Sequence, residues 1–333
     1  MFSFDVVPGS AVRPVIEAGR TDVLDLVRET YLLHRDGGTI NPDSYFLRFP
    51  EKPDSRIIAL PAYVGGDVQL AGLKWIASFP ANIRSGVPRA SAVLVLNDYV
   101  TGYPVACLEA ATISSARTAA SAALAAAALR PSGYQGTRIA VVGAGIIARN
   151  ICDFLEAAGC APDSYVVHDI DPVAAAALAE HVRKSIGRPV TVTPDLADAL
   201  AAETVVLATT ALEPYVTTPF TAGQLVLNIS LRDLAPEVLS AAHNVLDDVE
   251  HCLKANTSPH LTEQLTGNRD FVDGTLADVL AGDLAVEQDR PIVFSPFGLG
   301  VLDIAVGAYV VQQARTAGTA VAVPDFFGET TRW

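Results

Sequence analysis

The middle of the chain alternates short apolar runs with helical patterns. Ile139–Val142 is apolar at successive positions, as a strand buried on both faces requires. Gly143-Ala144-Gly145 ends this run, and Ile146–Leu155 has helical spacing up to a stop near Gly159. The pattern recurs in a strand at Ser164–His168, an Ala-rich helix from Pro172 to about Ile186, a strand at Val190–Thr193 and a helix at Leu196–Ala202. Strands at Thr204–Ala208, Gln224–Ile229 and Asn244–Asp247 follow. Strands and helices alternating at this interval predict an α/β architecture with a Rossmann-type doubly wound parallel sheet.

The first 115 residues follow another pattern. Arg56–Tyr63, Leu70–Ile76 and Ala90–Asp98 read as strands separated by Gly, Pro and Asn turns with little helix between them. This predicts an antiparallel or mixed sheet, hence a second domain of α+β type. An Ala-rich helix, Ser115–Leu129, leads into a Pro/Gly stretch over 130–136 that has the composition of a linker. The apolar helix Leu302–Arg315 is expected to pack back on the first lobe. The expected division is therefore 1–130 completed by 303–333, and 131–302 for the nucleotide-binding domain.

Composition narrows the function. Half of the 333 residues are hydrophobic and 18% are charged, which supports a packed core and excludes disorder. A net charge of −14 disfavours nucleic acid and anionic membranes as main partners. The uncharged Ala-rich stretch between Arg117 and Arg130 is too short to span a bilayer. Met1–Asp5 lacks the pattern of a secretory leader, and the four cysteines form no C-x-x-C. Reduced thiols in a cytoplasmic protein are the expectation. The acidity is uneven: residues 48–117 hold seven Lys/Arg and five Asp/Glu, so the first lobe is locally cationic.

Gly143-x-Gly145-x-x-Ala148 follows a strand and opens a helix. The first Gly allows a tight turn, the second lets a pyrophosphate approach the backbone, and the small third residue lets the helix sit close to the strand. Asp169 ends the next strand, 21 residues after Ala148, where a carboxylate accepts from ribose hydroxyls. No Arg follows it to hold a 2′-phosphate, so NAD is the expected cofactor; a Gly turn without a nucleotide is the alternative. Lys74, inside the apolar strand Gly72–Ile76, either faces a cavity or partner or points to solvent. Arg117 falls in the first turn of the expected Ala-rich helix, unfavourable against the dipole, and so either marks a nearby anion or is a surface Arg. Asp233, after the strand ending at Ile229, is a candidate acid/base group, with a helix N-cap or solvated loop acid as the competing role. Asp247-Asp248-Val249-Glu250-His251 lacks metal-ligand spacing, and no metal is expected.

Gly72–Ile76, Leu96-Asn97-Asp98 through Gly102-Tyr103-Pro104, Glu109-Ala110-x-x-Ile113-Ser114-Ser115-Ala116-Arg117-Thr118-Ala119-Ala120, the Gly143-x-Gly145 turn and Asn228–Asp233 together resemble the ornithine cyclodeaminase/μ-crystallin family over nearly the whole chain. The resemblance implies an NAD(P)-dependent enzyme acting on amino acids or imines, and a homodimer joined through the non-Rossmann lobe. It places the substrate carboxylate on Arg48, Lys74 and Arg117, the cofactor phosphate near Thr118, and a water-handling acid at Asp233. Lys74 is grouped with Asp233 as catalytic, and Ser230 joins the cofactor set. Arg89 is added for a second carboxylate arm.

Arg56–Pro61 with Gly65-Gly66, Lys74-Trp75-Ile76-x-Ser78, Arg89-Ala90-Ser91-x-Val93 and Asn228-Ile229-Ser230 are similar to the branch that acts on N-(2-amino-2-carboxyethyl)-L-glutamate. That likeness implies oxidative hydrolysis to 2,3-diaminopropionate and 2-oxoglutarate with formation of NADH, serving siderophore or antibiotic synthesis. Family cyclodeaminases carry Gly-Gly-Asp where this chain has Leu231-Arg232-Asp233, which argues against ornithine cyclisation. The alternatives are an ornithine/lysine cyclodeaminase, an imine reductase or amino-acid dehydrogenase, and a non-catalytic nucleotide-binding protein.

Overall fold

The computed structural model describes residues 3–331. In chain order the elements begin with β1 (Asp5–Val7), α1 (Gly9–Ala18), α2 (Arg20–Arg35), β2 (Thr39–Ile40), β3 (Tyr45–Phe49), β4 (Lys52–Val64), β5 (Leu70–Ser78), β6 (Ala90–Asp98), β7 (Pro104–Glu109) and α3 (Ala111–Leu129). Next come β8 (Arg138–Val142), α4 (Ile146–Ala157), β9 (Ser164–His168), α5 (Pro172–His181), β10 (Val190–Val192), α6 (Leu196–Leu200), β11 (Thr204–Leu207), β12 (Leu225–Asn228) and α7 (Pro236–Ser240). The chain continues through β13 (His243–Leu246), α8 (Val249–Cys252), α9 (Ser258–Thr266), β14 (Val272–Thr275), α10 (Leu276–Ala281), β15 (Ile292–Ser295), α11 (Gly300–Thr316) and β16 (Val321–Ala322). It divides into one unit of 1–117 with 299–333 and another of 118–298.

In the first unit a mixed sheet runs β16-β1-β7-β6-β5-β4-β2, with β3 also on β4. Alternation sorts its two faces. Leu60, Ala62, Leu94 and Leu96 are buried on the face that α11 covers, where Gly72 and Gly307 let helix and sheet approach. A Cβ on Gly72 would lie 2.4 Å from the Val95 carbonyl oxygen and 2.6 Å from Ile304. The other face carries Tyr45, Ala59, Trp75 and Val93 in one cross-strand row. Tyr45 is 70% exposed and Val93 42%, so this apolar row is uncovered within the chain. Helices α1 and α2 precede Arg56, in a stretch to which the sequence pattern assigned no element; α2 is a regular amphipathic helix that buries Val23, Leu24, Val27 and Tyr31.

The second unit holds a wholly parallel sheet in the order β10-β9-β8-β11-β12-β15-β13-β14. Its first six strands give the doubly wound order, with the reversal between β8 and β11. The inner strands β11, β12, β13 and β15 are buried at every position, which explains their apolar runs. The predicted helix Pro172–Ile186 is α-helical to His181 and closes in a wider π turn over Val182–Ile186.

The linker-like stretch 130–136 lies within this second unit. Tyr134 is buried and donates to the Ala126 carbonyl at 3.0 Å, and Arg130 donates to Gly133, so the segment is stapled to the end of α3. Among the described residues no helix is long and apolar enough to cross a membrane, and no cluster of His, Cys, Asp and Glu has the makings of a metal site.

Gly72→Ala is expected to lower the free energy of unfolding by about 1–3 kcal/mol, because the new methyl must displace backbone or Ile304. Denaturant unfolding of the variant checks this.

Candidate substrate and nucleotide sites

In the first unit the chemistry centres on Lys74. Its strand position puts the side chain on the α11 face, where it is 1% exposed. Nζ donates to Asp303 Oδ2 at 2.6 Å and to Ser114 Oγ at 3.1 Å. Asp303 is fully buried and its other oxygen accepts from Arg117 Nε at 3.4 Å. Arg117 also reaches Ser114, one turn earlier on α3, at 3.5 Å. Two cations thus face one carboxylate, an arrangement suited to an anionic ligand. Burial pulls the Lys74 pKa down to about 8; Asp303 opposes that shift and Arg117 adds to it.

Asp303 escaped the sequence reading. Its signal was the same as that of Lys74, a single charge among apolar neighbours in Gly300–Gly307. The expectation that Arg117 lies in the first turn of its helix is corrected. Glu109 Oε1 accepts from the Ala111 and Thr112 amides, so α3 starts at Ala111 and Arg117 lies a turn further in. The dipole argument therefore lapses, and the anion beside Arg117 is the carboxylate of Asp303.

Arg48 and Arg89 are not part of this cluster. Arg48 is exposed on β3 with its guanidinium 5.1 Å from the Phe46 ring, directly opposite Arg56. Arg89 is half-buried and donates to Ser78 Oγ at 2.7 Å.

In the second unit the nucleotide turn has the geometry its residues suggest. Gly143 adopts φ +91°, and a Cβ there would lie 2.5 Å from the Ala208 carbonyl oxygen across the β8–β11 switch point. A Cβ on Gly145 would meet nothing within 4 Å, so its absence leaves open space before the N-terminus of α4. Ala148 is buried. Asp169 accepts from the Ala144 amide at 2.6 Å with Oδ2 and from the Asp171 amide at 2.8 Å with Oδ1. An ionised carboxylate has about four acceptor positions, which leaves capacity for ribose hydroxyls. The neighbouring Ile170 is 97% exposed, and Asp171 caps α5 rather than turning toward this site. These residues fit a dinucleotide. Thr118 lies half-buried on α3, at the start of this unit.

Asp233 is fully buried, which overturns the solvated-loop alternative; the N-cap of α7 is Ala235. Thr209 donates to Asp233 Oδ1 at 2.5 Å, and Ser230 Oγ contacts Oδ2. Ser230 Oγ also lies 3.0 Å from the Leu207 carbonyl oxygen. One hydroxyl proton serves one acceptor at a time, so Ser230 links the carboxyl group to the end of β11. Tyr215 lies against this group, and its hydroxyl pKa is pushed up by burial and then by the Asp233 carboxylate. The backbone is strained beside it: Leu231 has φ +78° where the cyclodeaminase pattern has Gly. The arrangement can position a water or amine proton at a buried carboxyl group.

Affinity for a small carboxylate such as 2-oxobutyrate is expected to fall as pH rises through about 8, where the Lys74 ammonium loses its proton. Asp303→Asn is expected to move that fall to lower pH, since the negative charge it removes holds the Lys74 pKa up. Titration calorimetry across pH 6–10 with NADH present, using about two-unit brackets around the midpoint, checks both.

The chain matches the ornithine cyclodeaminase/mu-crystallin family over residues 15–318. It is 28% identical over 305 residues to the N-((2S)-2-amino-2-carboxyethyl)-L-glutamate dehydrogenase of Staphylococcus aureus, covering 88% of this chain and 90% of that protein. It is 33% identical over 309 residues to the nodulation efficiency protein NfeD of Rhizobium meliloti, covering 90% and 92%. An archaeal alanine dehydrogenase dimer solved with bound NAD has the same fold, with a TM-score of 0.86 at 22% identity over 98% of this chain and all of that one. The family match covers most of the chain and both units, and on that ground the protein belongs to the ornithine cyclodeaminase/mu-crystallin family.

Proposed function

We propose that this protein is an NAD-dependent oxidoreductase that cleaves the C–N bond of N-(2-amino-2-carboxyethyl)-L-glutamate, releasing 2,3-diaminopropionate and 2-oxoglutarate. The observation that carries the reading is the meeting of Lys74 and Arg117 at the single buried carboxylate of Asp303, which suits a carboxylate-bearing amino-acid substrate. The likeness to the Staphylococcus aureus dehydrogenase supports the substrate, and Leu231 in place of a Gly speaks against cyclisation. The NAD-bound archaeal relative supports the cofactor.

Each residue has one role in this reading. Lys74 and Arg117 hold the α-carboxylate of the glutamate half and so orient its α-C–H bond. Asp303 fixes the Lys74 ammonium and the Arg117 guanidinium in place. Gly143, Gly145 and Ala148 accommodate the pyrophosphate, Asp169 the ribose, and Thr118 and Ser230 the rest of the nucleotide. NAD, when bound, would supply the acceptor for the hydride of that α-carbon. Loss of the amine proton leaves a C=N bond, and Asp233 takes a proton from the water that adds to it. Asp233 passes that proton to the nitrogen, and as the carbinolamine C–N bond breaks its hydroxyl proton also goes to the nitrogen, so 2-oxoglutarate leaves as the ketone and 2,3-diaminopropionate as the free amine. The four cysteines are free thiols, which suits a cytoplasmic setting.

The protein acts as a homodimer in this reading, joined through the uncovered apolar face of the first unit's sheet. A row of Tyr45, Trp75 and Val93 is suited to burial against a second copy, and the archaeal relative is a dimer.

The decisive assay follows NADH absorbance with synthetic N-(2-amino-2-carboxyethyl)-L-glutamate beside ornithine, lysine and alanine. NADH and 2-oxoglutarate should form with the first; no signal there and turnover with another would sink the reading. Asp233→Asn should slow turnover by about 100-fold or more while NAD affinity stays within about twofold. Trp75→Glu should shift the protein from dimer toward monomer in sedimentation velocity, with unchanged mass the contrary result.

A further inference from the structure

Three rows of side chains cross the α11 face of the first unit's sheet. In antiparallel pairs directly opposed residues share a face, and alternate residues of one strand share it too. Lys74 pairs with Leu60 and Leu94. Two residues further along β5, Ile76 pairs with Ile58 and Ala92, and Ile58 pairs with Phe46 on β3. Two residues beyond that, Ser78 pairs with Arg56 and Ala90, and Arg56 pairs with Arg48. Arg89 precedes Ala90 and donates to Ser78. One face therefore reads cationic, then apolar, then cationic.

The second cationic row gathers three arginines at one end of this face. Like charges directly opposite one another on a sheet are unfavourable, yet Arg48 and Arg56 occupy one such pair. Arg89 is drawn toward the same row and is half-buried there, and Ser78 is 7% exposed. Glu51 and Asp54 are exposed near the β3–β4 turn. From Lys74 to Ser78 is four strand residues, about 13 Å between backbones. Long Lys and Arg side chains close much of that distance from both ends, and Ile58 and Ile76 lie between them.

We infer that Arg56 and Arg89, with Arg48 and Ser78, form a second anion station that binds the distal carboxylate of a dicarboxylic substrate arm, while Ile58 and Ile76 pack against the methylenes between its two carboxylates. This rests on the reading that Lys74 and Arg117 take the proximal carboxylate. It makes Arg56 and Arg89 specificity-determining residues that select a glutamate-like arm over a short apolar one. Guanidinium groups suit the task, because they stay charged and bind carboxylates in two-pronged fashion.

The test compares 2-oxoglutarate with 2-oxobutyrate, which lacks the distal carboxylate, by calorimetry on the full chain with NADH bound. Wild-type protein should bind 2-oxoglutarate at least about tenfold more tightly. Arg56→Met and Arg89→Met should each erase most of that preference while leaving 2-oxobutyrate affinity within about twofold, which also shows that the variants are folded. A wild-type preference that survives both substitutions overturns the inference and leaves the proposed function standing. So does equal binding of the two acids by wild type. If neither acid binds the wild-type protein, the proximal site fails, and the proposed function falls together with the inference.

Discussion

Lys74 and Asp303 are a fully buried ion pair joining residues 229 positions apart. Taking two charges out of water costs several kcal/mol per ion, offset only by close geometry and further hydrogen bonds. Ser114 and Arg117 provide those bonds, and they come from a third element. The pair therefore needs β5, α3 and α11 in register, and the glycines at 72 and 307 that let α11 lie close to the sheet. The same demand explains why the first unit takes its last helix from the end of the chain. Breaking one partner would strand the other as a buried charge.

The cluster also links stability to chemistry. Two cations share one carboxylate there, and burial already weakens the hold of Lys74 on its proton. A carboxylate ligand relieves both conditions. The apolar row beyond it and the arginines beyond that extend this logic along a single sheet face. The opposite face of the sheet is apolar and uncovered, so the two faces differ because alternation assigns neighbouring residues to different environments.

The second unit handles its buried acid differently. Asp233 is held by the hydroxyl groups of Thr209 and Ser230, which lie near the carboxyl ends of β11 and β12. Hydroxyl groups both donate and accept, so each can turn to donate to a carboxylate oxygen. Leu231 holds a left-handed conformation next to this group, and its amide-bonded neighbourhood is pinned by the Ser258 amide donating to the Leu231 carbonyl at 2.7 Å. Strain is tolerated there because the surrounding loop is fixed on both sides.

What could be read without coordinates was local. The parallel sheet, the turn at Gly143 and Gly145 and the acid at Asp169 are encoded within one βαβ unit, where strand, turn and helix are chain neighbours and their spacing is set by element lengths. The oddity of Lys74 was legible for the same reason, as one charge in an apolar strand. Its partner was not, because strand periodicity carries no information about a helix more than two hundred residues later. Arg117 was misplaced within its helix because the cap is the side chain of Glu109, whose role depends on how β7 meets α3. The alignment of Arg48 with Arg56 and of Arg56 with Ser78 likewise awaited the strand register, since a shift of one residue would have sent each to the opposite face. Sequence alone determined which residues were chemically unusual; tertiary structure decided which of them meet, because burial and pairing are set by contacts between segments far apart in the chain.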